Sequence, residues 1–155
     1  MWPEARDAAS LRCEGDFDMR IASLTEFPGM SSGMFEMLVE RCNIQGFILR
    51  AVGAGDPSTT HRRVFEYLKR LKVPLVIATQ APSGTSNFQV NEPGEYLREH
   101  ELAIPAFDMS IEALTTKLGW LLAKKNKGIL SYEQVCQYMV EDLHGEINVL
   151  WEVGI

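Results

Sequence analysis

Cysteine is scarce in this chain. Cys13, Cys42 and Cys136 are odd in number and far apart, which makes neither a disulfide framework nor a metal cluster. That usage fits a reducing compartment, so a cytoplasmic location is expected. Long apolar runs are missing, so no membrane span is expected. Glu4, Arg6, Asp7, Arg12, Glu14 and Asp16 interrupt the N-terminus, which therefore does not read as a signal peptide. Basic residues are in the minority, 15 against 21 acidic, for a formal charge of −6. This field disfavours nucleic acid and anionic membranes as partners. The familiar catalytic signatures are missing too: no G-x-S-x-G elbow, H-E-x-x-H pair, P-loop or C-x-x-C occurs. Gly53-x-Gly55 lacks the third glycine of a dinucleotide fingerprint, so no cofactor is expected. His61, His100 and His144 are scattered through segments expected to be exposed and read as surface histidines.

What remains is an ordinary globular composition, 46% hydrophobic and 23% charged in 155 residues, enough for one core in one domain. Residues 1–18 are polar and without period and read as a leader or linker. Residues 19–155 read as the domain. Its centre of organisation is Gly46 to Ser58. An apolar run, Phe47-Ile48-Leu49, carries one charge, Arg50, and ends in the glycines at 53 and 55. Asp56, Pro57 and Ser58 then lead into a helical pattern. This is the signature of a buried parallel strand delivering its C-terminal end to a site, where open α/β sheets bind ligands. Standing alone, the stretch reads first as a tight strand-to-helix turn capped by Ser58.

The rest of the chain repeats the alternation. Ile21 to Phe27 predicts a first strand, with Ile21, Leu24 and Phe27 as its apolar surface, stopped by Pro28-Gly29. Ser31 or Ser32 caps a helix over 32–42 with Met34, Phe35, Leu38 and Val39 on one face. Ser58 to Lys72 predicts a helix whose buried stripe is Val64, Phe65, Leu68 and Leu71. Pro74 to Ala81 predicts a strand covered on both faces, ending in the polar Thr79-Gln80. If these strands are parallel neighbours, Thr79 and Gln80 converge on Arg50. A short helix over 93–101 and a strand over 103–107 follow, with Pro105 restricting that strand to an edge. Ser110 opens a helix to 125, and Ser131 with Gln134 forms a capping box for another over 131–141. Val149-Leu150-Trp151 is an apolar end that docks on the core or meets a partner. The order predicts an α/β fold, a small parallel four-stranded sheet with helices on both faces and right-handed crossovers.

Several ordered stretches resemble one family. Phe27-Pro28-Gly29 looks like an aromatic-Pro-Gly after a first strand, and Ile48 to Asp56 looks like a strand ending in G-x-G-N. Thr79-Gln80 with Ser83-Gly84 looks like an S/T-Q-C-x-x-G loop. Phe107 to Ser110, Glu112-Ala113-Leu114 and Lys117-Leu118 look like a D-M-T-x-E-A-A-x-x-K-L helix, and Leu143-His144-Gly145-Glu146 looks like L-R-G-E. Together, from Met19 to Glu146, these resemble the C-terminal domain of bacterial L-asparaginases, closest to the cytoplasmic type I group. The resemblance implies a flavodoxin-like three-layer domain that forms a homodimer and completes the site of a catalytic N-terminal domain. The T-G-G-T and D-G-T-D motifs that hold that family's nucleophiles do not occur in these residues, so no catalytic residue is assigned to this chain.

The resemblance also implies ligand-binding candidates. Asp56 stands at the Asn of G-x-G-N, and Asn91, beside Glu92, falls near a later position that is acidic or tyrosine in the family. An Asp cannot donate the hydrogen bonds of an amide. Arg50, Thr79 and Ala81 match an allosteric asparagine site, with Ala81 where the family has Cys; Gln80 adjoins them. A guanidinium at a strand end grips an α-carboxylate bidentately or pairs with a carboxylate such as Asp56. The expected function is thus association and binding of L-asparagine by a domain inactive alone. The alternative is a degenerate scaffold or interaction module.

Overall fold

The computed structural model describes residues 14–88 and 91–148. The expected apolar end from Val149 and the leader up to Cys13 lie outside the described residues. Four parallel strands run side by side in chain order: β1 (Ile21–Thr25), β2 (Gly46–Ala51), β3 (Leu75–Thr79) and β4 (Ile104–Pro105). Phe47 to Ala51 of β2 lie opposite Leu75 to Thr79 of β3, and Ile21 to Thr25 of β1 lie opposite Gly46 to Arg50. β4 pairs only with β3, at Val76–Ile104 and Ile77–Pro105, as an edge strand carrying a proline must.

Three helices pack on one face: α1 (Gly33–Cys42), α2 (Arg62–Arg70) and α3 (Glu92–Glu99). Crossovers of constant hand through strands laid down in one direction return each helix to the same face. Phe35, Val64, Phe65, Leu68 and Leu97 pack there against Phe47, Leu49, Ala51, Leu75 and Ile77. The opposite face is covered by α4 (Ile111–Asn126) and α5 (Tyr132–Val140). Leu114, Leu118, Leu121, Leu122, Val135 and Met139 pack there on Ile48, Val76, Ala78 and Ile104. Both faces being covered explains the unbroken apolar runs of β2 and β3. The caps of α4 and α5 are those the sequence marks, whereas Ser32 at the start of α1 makes no capping bond. Ser110 accepts from the Ala113 amide, and Ser131 and Gln134 bond reciprocally.

Three expectations are corrected. Phe27 lies beyond β1 and is 54% exposed, because the strand ends at Thr25 and the Pro28-Gly29 turn carries the ring outward. Leu71 is 45% exposed, since α2 stops at Arg70. The third is His61, which is buried rather than on the surface. It ends a single 3₁₀ turn, Thr59–His61, that precedes α2. The segment before β1 lies along α4, with Glu14 on Lys124 at 2.6 Å, Asp16 on Lys127 at 2.5 Å and the Asp18 amide donating to the Gly119 carbonyl.

Candidate functional site

At the C-terminal ends of β2 and β3 the chain makes the expected polar cluster, but its side chains are mostly engaged by the backbone of neighbouring loops and strands. Gly53 and Gly55 have φ of +60° and +90°, and Val52 bridges to Asp56 to close the turn. Thr79 Oγ1 donates to the Gly53 carbonyl at 2.6 Å and accepts from the Ala81 amide at 2.9 Å. Gln80 Nε2 donates to the carbonyls of Glu26, at 2.8 Å, and Arg50, at 2.9 Å. Thr79 and Gln80 therefore tie the ends of β1, β2 and β3 together. Asp56 Oδ2 accepts from Asn91 Nδ2 at 2.5 Å, so two candidates far apart in sequence meet. Ala81 contributes only a methyl group to this loop.

Arg50 does not pair with Asp56 among the described residues. Strand alternation separates them: Ile48, Val76 and Ala78 belong to the core beneath α4 and α5, and Arg50 follows Ile48 onto that face. Its Nε is buried without a hydrogen-bond partner. Asp56 instead borders a cavity on the α1–α2 side.

That cavity holds a cluster missed by the sequence reading. His61 Nδ1 lies 2.8 Å from Ser32 Oγ, and His61 Nε2 lies 3.3 Å from Glu26 Oε1. Glu26 Oε1 also accepts from the Ser58 amide at 2.7 Å, while its Oε2 is buried without a partner. The ring sits 5.7 Å from Phe35 and 5.9 Å from Phe65. Burial pushes the imidazole pKa below its ordinary value, against the opposing pull of Glu26. A signal for His61 was available: positions 61, 64, 65 and 68 follow the helical period, and 64, 65 and 68 form the buried stripe. Among the described residues, no group of three His, Cys, Asp or Glu is arranged to hold a metal ion, and no helix is long and apolar enough to cross a membrane.

Two further stretches of the sequence pattern meet on the far side of the sheet. Lys117 of the Lys-Leu pair and Glu146 of Leu-His-Gly-Glu form a largely buried ion pair at 2.6 Å. Lys117 also donates to the Glu141 carbonyl at 2.5 Å, and Glu146 accepts from the amides of Leu143 and His144. This pair is structural rather than a ligand site, since each partner is consumed by the other and by backbone.

The profile of the Glutaminase/Asparaginase C-terminal domain family matches residues 20–139. A glutamyl-tRNA(Gln) amidotransferase chain of Aeropyrum pernix is 31% identical over 92% of this chain and 32% of its own. The crystal structure of L-asparaginase I from Vibrio cholerae superposes with a TM-score of 0.72 at 27% identity, over 83% of this chain and 38% of that one. The thermostable L-asparaginase from Thermococcus kodakarensis gives 0.72 at 28% identity, over 86% and 39%. The chain thus spans about a third of the length of the curated relatives it matches. The profile covers well over half of these residues and the fold agrees with the solved structures, so the chain belongs to the Glutaminase/Asparaginase C-terminal domain family.

Proposed function

We propose that this chain is an asparaginase-type domain with no asparaginase activity of its own, which binds L-asparagine and self-associates in the cytoplasm, or joins a catalytic N-terminal domain. The observation that carries the ligand reading is Arg50, whose buried Nε has no acceptor among the described residues. An unpaired guanidinium donor away from water costs about 1–3 kcal/mol, which an α-carboxylate would relieve through charge-assisted hydrogen bonds. Arg50 stands at the C-terminal end of a parallel strand, where such sheets bind ligands.

A second reading rests on Thr79 and Gln80. Their side chains are engaged by the carbonyls of Gly53, Glu26 and Arg50, and Asp56 is engaged by Asn91. Such internal bonding suits a scaffold. Calorimetric titration with L-asparagine separates the two. Saturable binding is expected, lost in Arg50→Ala. Absence of heat at millimolar ligand from folded protein would leave the scaffold reading in its place. Light scattering that shows only monomer at high concentration would remove self-association.

A further inference from the structure

The cavity beside Asp56 has a volume of about 580 Å³, and Glu26, Ser32 and His61 all line it. We propose that Ser32, His61 and Glu26 form a nucleophile, base and carboxylate set that hydrolyses small neutral or cationic carboxylic esters. This site lies across the sheet from Arg50, so it neither needs nor tests asparagine binding.

The geometry is that of an activated hydroxyl. Ser32 occupies the N-cap position of α1, yet its side chain makes no capping bond and turns to the imidazole instead. The hydroxyl carries one proton and has two acceptors in reach, His61 Nδ1 at 2.8 Å and the Thr60 carbonyl at 3.1 Å. The carboxylate decides between them. With Glu26 Oε1 3.3 Å from Nε2, a proton on Nε2 is favoured, because a bare ring nitrogen there would face negative charge. Nδ1 is then the acceptor, and Ser32 points its proton at the base. Glu26 is itself held by the Ser58 amide, and the ring packs beside both Phe35 and Phe65, which touch each other. The unpartnered Glu26 Oε2 is spare accepting capacity beside the imidazolium that forms on reaction. The Gly33 amide, the first of α1, lies next in the chain to the nucleophile at the positive end of the helix, where an oxyanion develops.

Ser32 Oγ attacks the ester carbonyl carbon and its proton passes to His61 Nδ1. The bond from carbonyl carbon to alcohol oxygen breaks, and the alcohol leaves with that proton. Water then attacks the acyl-serine, gives a proton to Nδ1, and the acid departs as Oγ recovers its proton. Ester and water become acid and alcohol, with no other reactant. Specificity follows from the walls. Phe27, Met30 and Val52 offer apolar surface for a short acyl group, and Asp56 and Glu26 repel an anionic one.

The test is labelling of the full chain with a neutral dialkyl fluorophosphonate, read by intact mass and peptide mapping. Oγ bonds to phosphorus and fluoride leaves. A single adduct on Ser32 is expected, absent in Ser32→Ala. His61→Gln should slow labelling by about 10²–10⁴-fold. The ring's other described partners, Ser32, Phe35 and Phe65, are uncharged, and Asp56 is the second carboxylate lining the cavity, left unchanged in this comparison. Glu26→Gln should therefore move the midpoint of the labelling-rate pH profile downward, since Glu26 is the charge that favours the imidazolium. A purely structural Glu26 would leave that midpoint in place. p-Nitrophenyl acetate should be hydrolysed by wild type and not by Ser32→Ala, and faster than the hemisuccinate ester. A folded wild type that takes no adduct, takes it elsewhere, or hydrolyses the acetate no faster than Ser32→Ala overturns the proposal. Ser32 is half-buried and replacing it removes a single oxygen, so its alanine variant is expected to fold, checked by circular dichroism.

Discussion

Gly55→Ala is expected to lower the unfolding free energy by about 2–5 kcal/mol. Gly55 has φ of +90°, a conformation that strains any residue with a Cβ by about 1–2 kcal/mol. Its Cβ would also lie 2.2 Å from Ser86 Oγ, 3.0 Å from Ser86 Cβ and 3.3 Å from Ile77 Cγ2. Ser86 cannot easily retreat. It is fully buried, its hydroxyl donates to the Ile77 carbonyl at 2.7 Å, and its backbone exchanges both hydrogen bonds with Phe107. Overpacking at such a place costs about 1–3 kcal/mol more. Gly128→Ala is the matched comparison: φ is +71° but nothing lies within 4 Å of the added Cβ. It should show the conformational cost alone. Urea unfolding of both variants checks this, and equal losses would mean that the Ser86 contact yields freely. Because Gly55 forms the turn that carries Asp56, the same variant should also disturb the Asp56–Asn91 contact.

Much of this architecture was legible because the periodicities are clean and the punctuation strong. β2 and β3 read as continuous apolar runs because both faces are covered, and the caps at Ser110 and Ser131 are the ones used. The gathering of Thr79, Gln80 and Asp56 at one end of the sheet followed from parallel strands and short loops. Their wiring did not. Whether Thr79 faces a ligand or the Gly53 carbonyl depends on where the turn places that carbonyl, and spacing carries no trace of it. Arg50 reads as a lone charge with two alternatives, a ligand carboxylate or Asp56, and the sheet pleat turns it to the face away from the cavity that Asp56 borders, so the second alternative is not realised among the described residues. His61 was misjudged for a different reason. A histidine is usually half-wet, and the apolar stripe of α2 was read from Val64 although it extends one turn earlier, into the 3₁₀ segment. Ser32 was expected as a cap and sits at the cap position, but the buried imidazole outcompetes the helix amides for its hydroxyl.

Lys117→Ala is expected to cost about 3–5 kcal/mol, the range for removing one partner of a buried pair. The ammonium and carboxylate are 2.6 Å apart and their side chains 6% and 14% exposed, so water screens them poorly. Burial raises the Glu146 carboxyl pKa, but the Lys117 bond and the amides of Leu143 and His144 outweigh it and hold the pKa at about 2. A depressed carboxylate stabilises the fold fully above its unfolded value near 4.5, and that contribution is lost as pH falls toward 2. The wild type should therefore lose stability between pH 4.5 and 2, with a shallower loss in Lys117→Ala, whose penalty is largest at pH 7. Lys117→Met with Glu146→Leu should recover part of the loss, since an apolar pair of similar volume carries no desolvation cost. Recovery stays incomplete, because Glu146 also receives the Leu143 and His144 amides that shape the loop before Ile147 docks in the core. Urea unfolding at pH 7 and pH 3 decides it. A loss under about 1 kcal/mol in Lys117→Ala at pH 7 would place the pair among surface ion pairs in energy, whatever its burial.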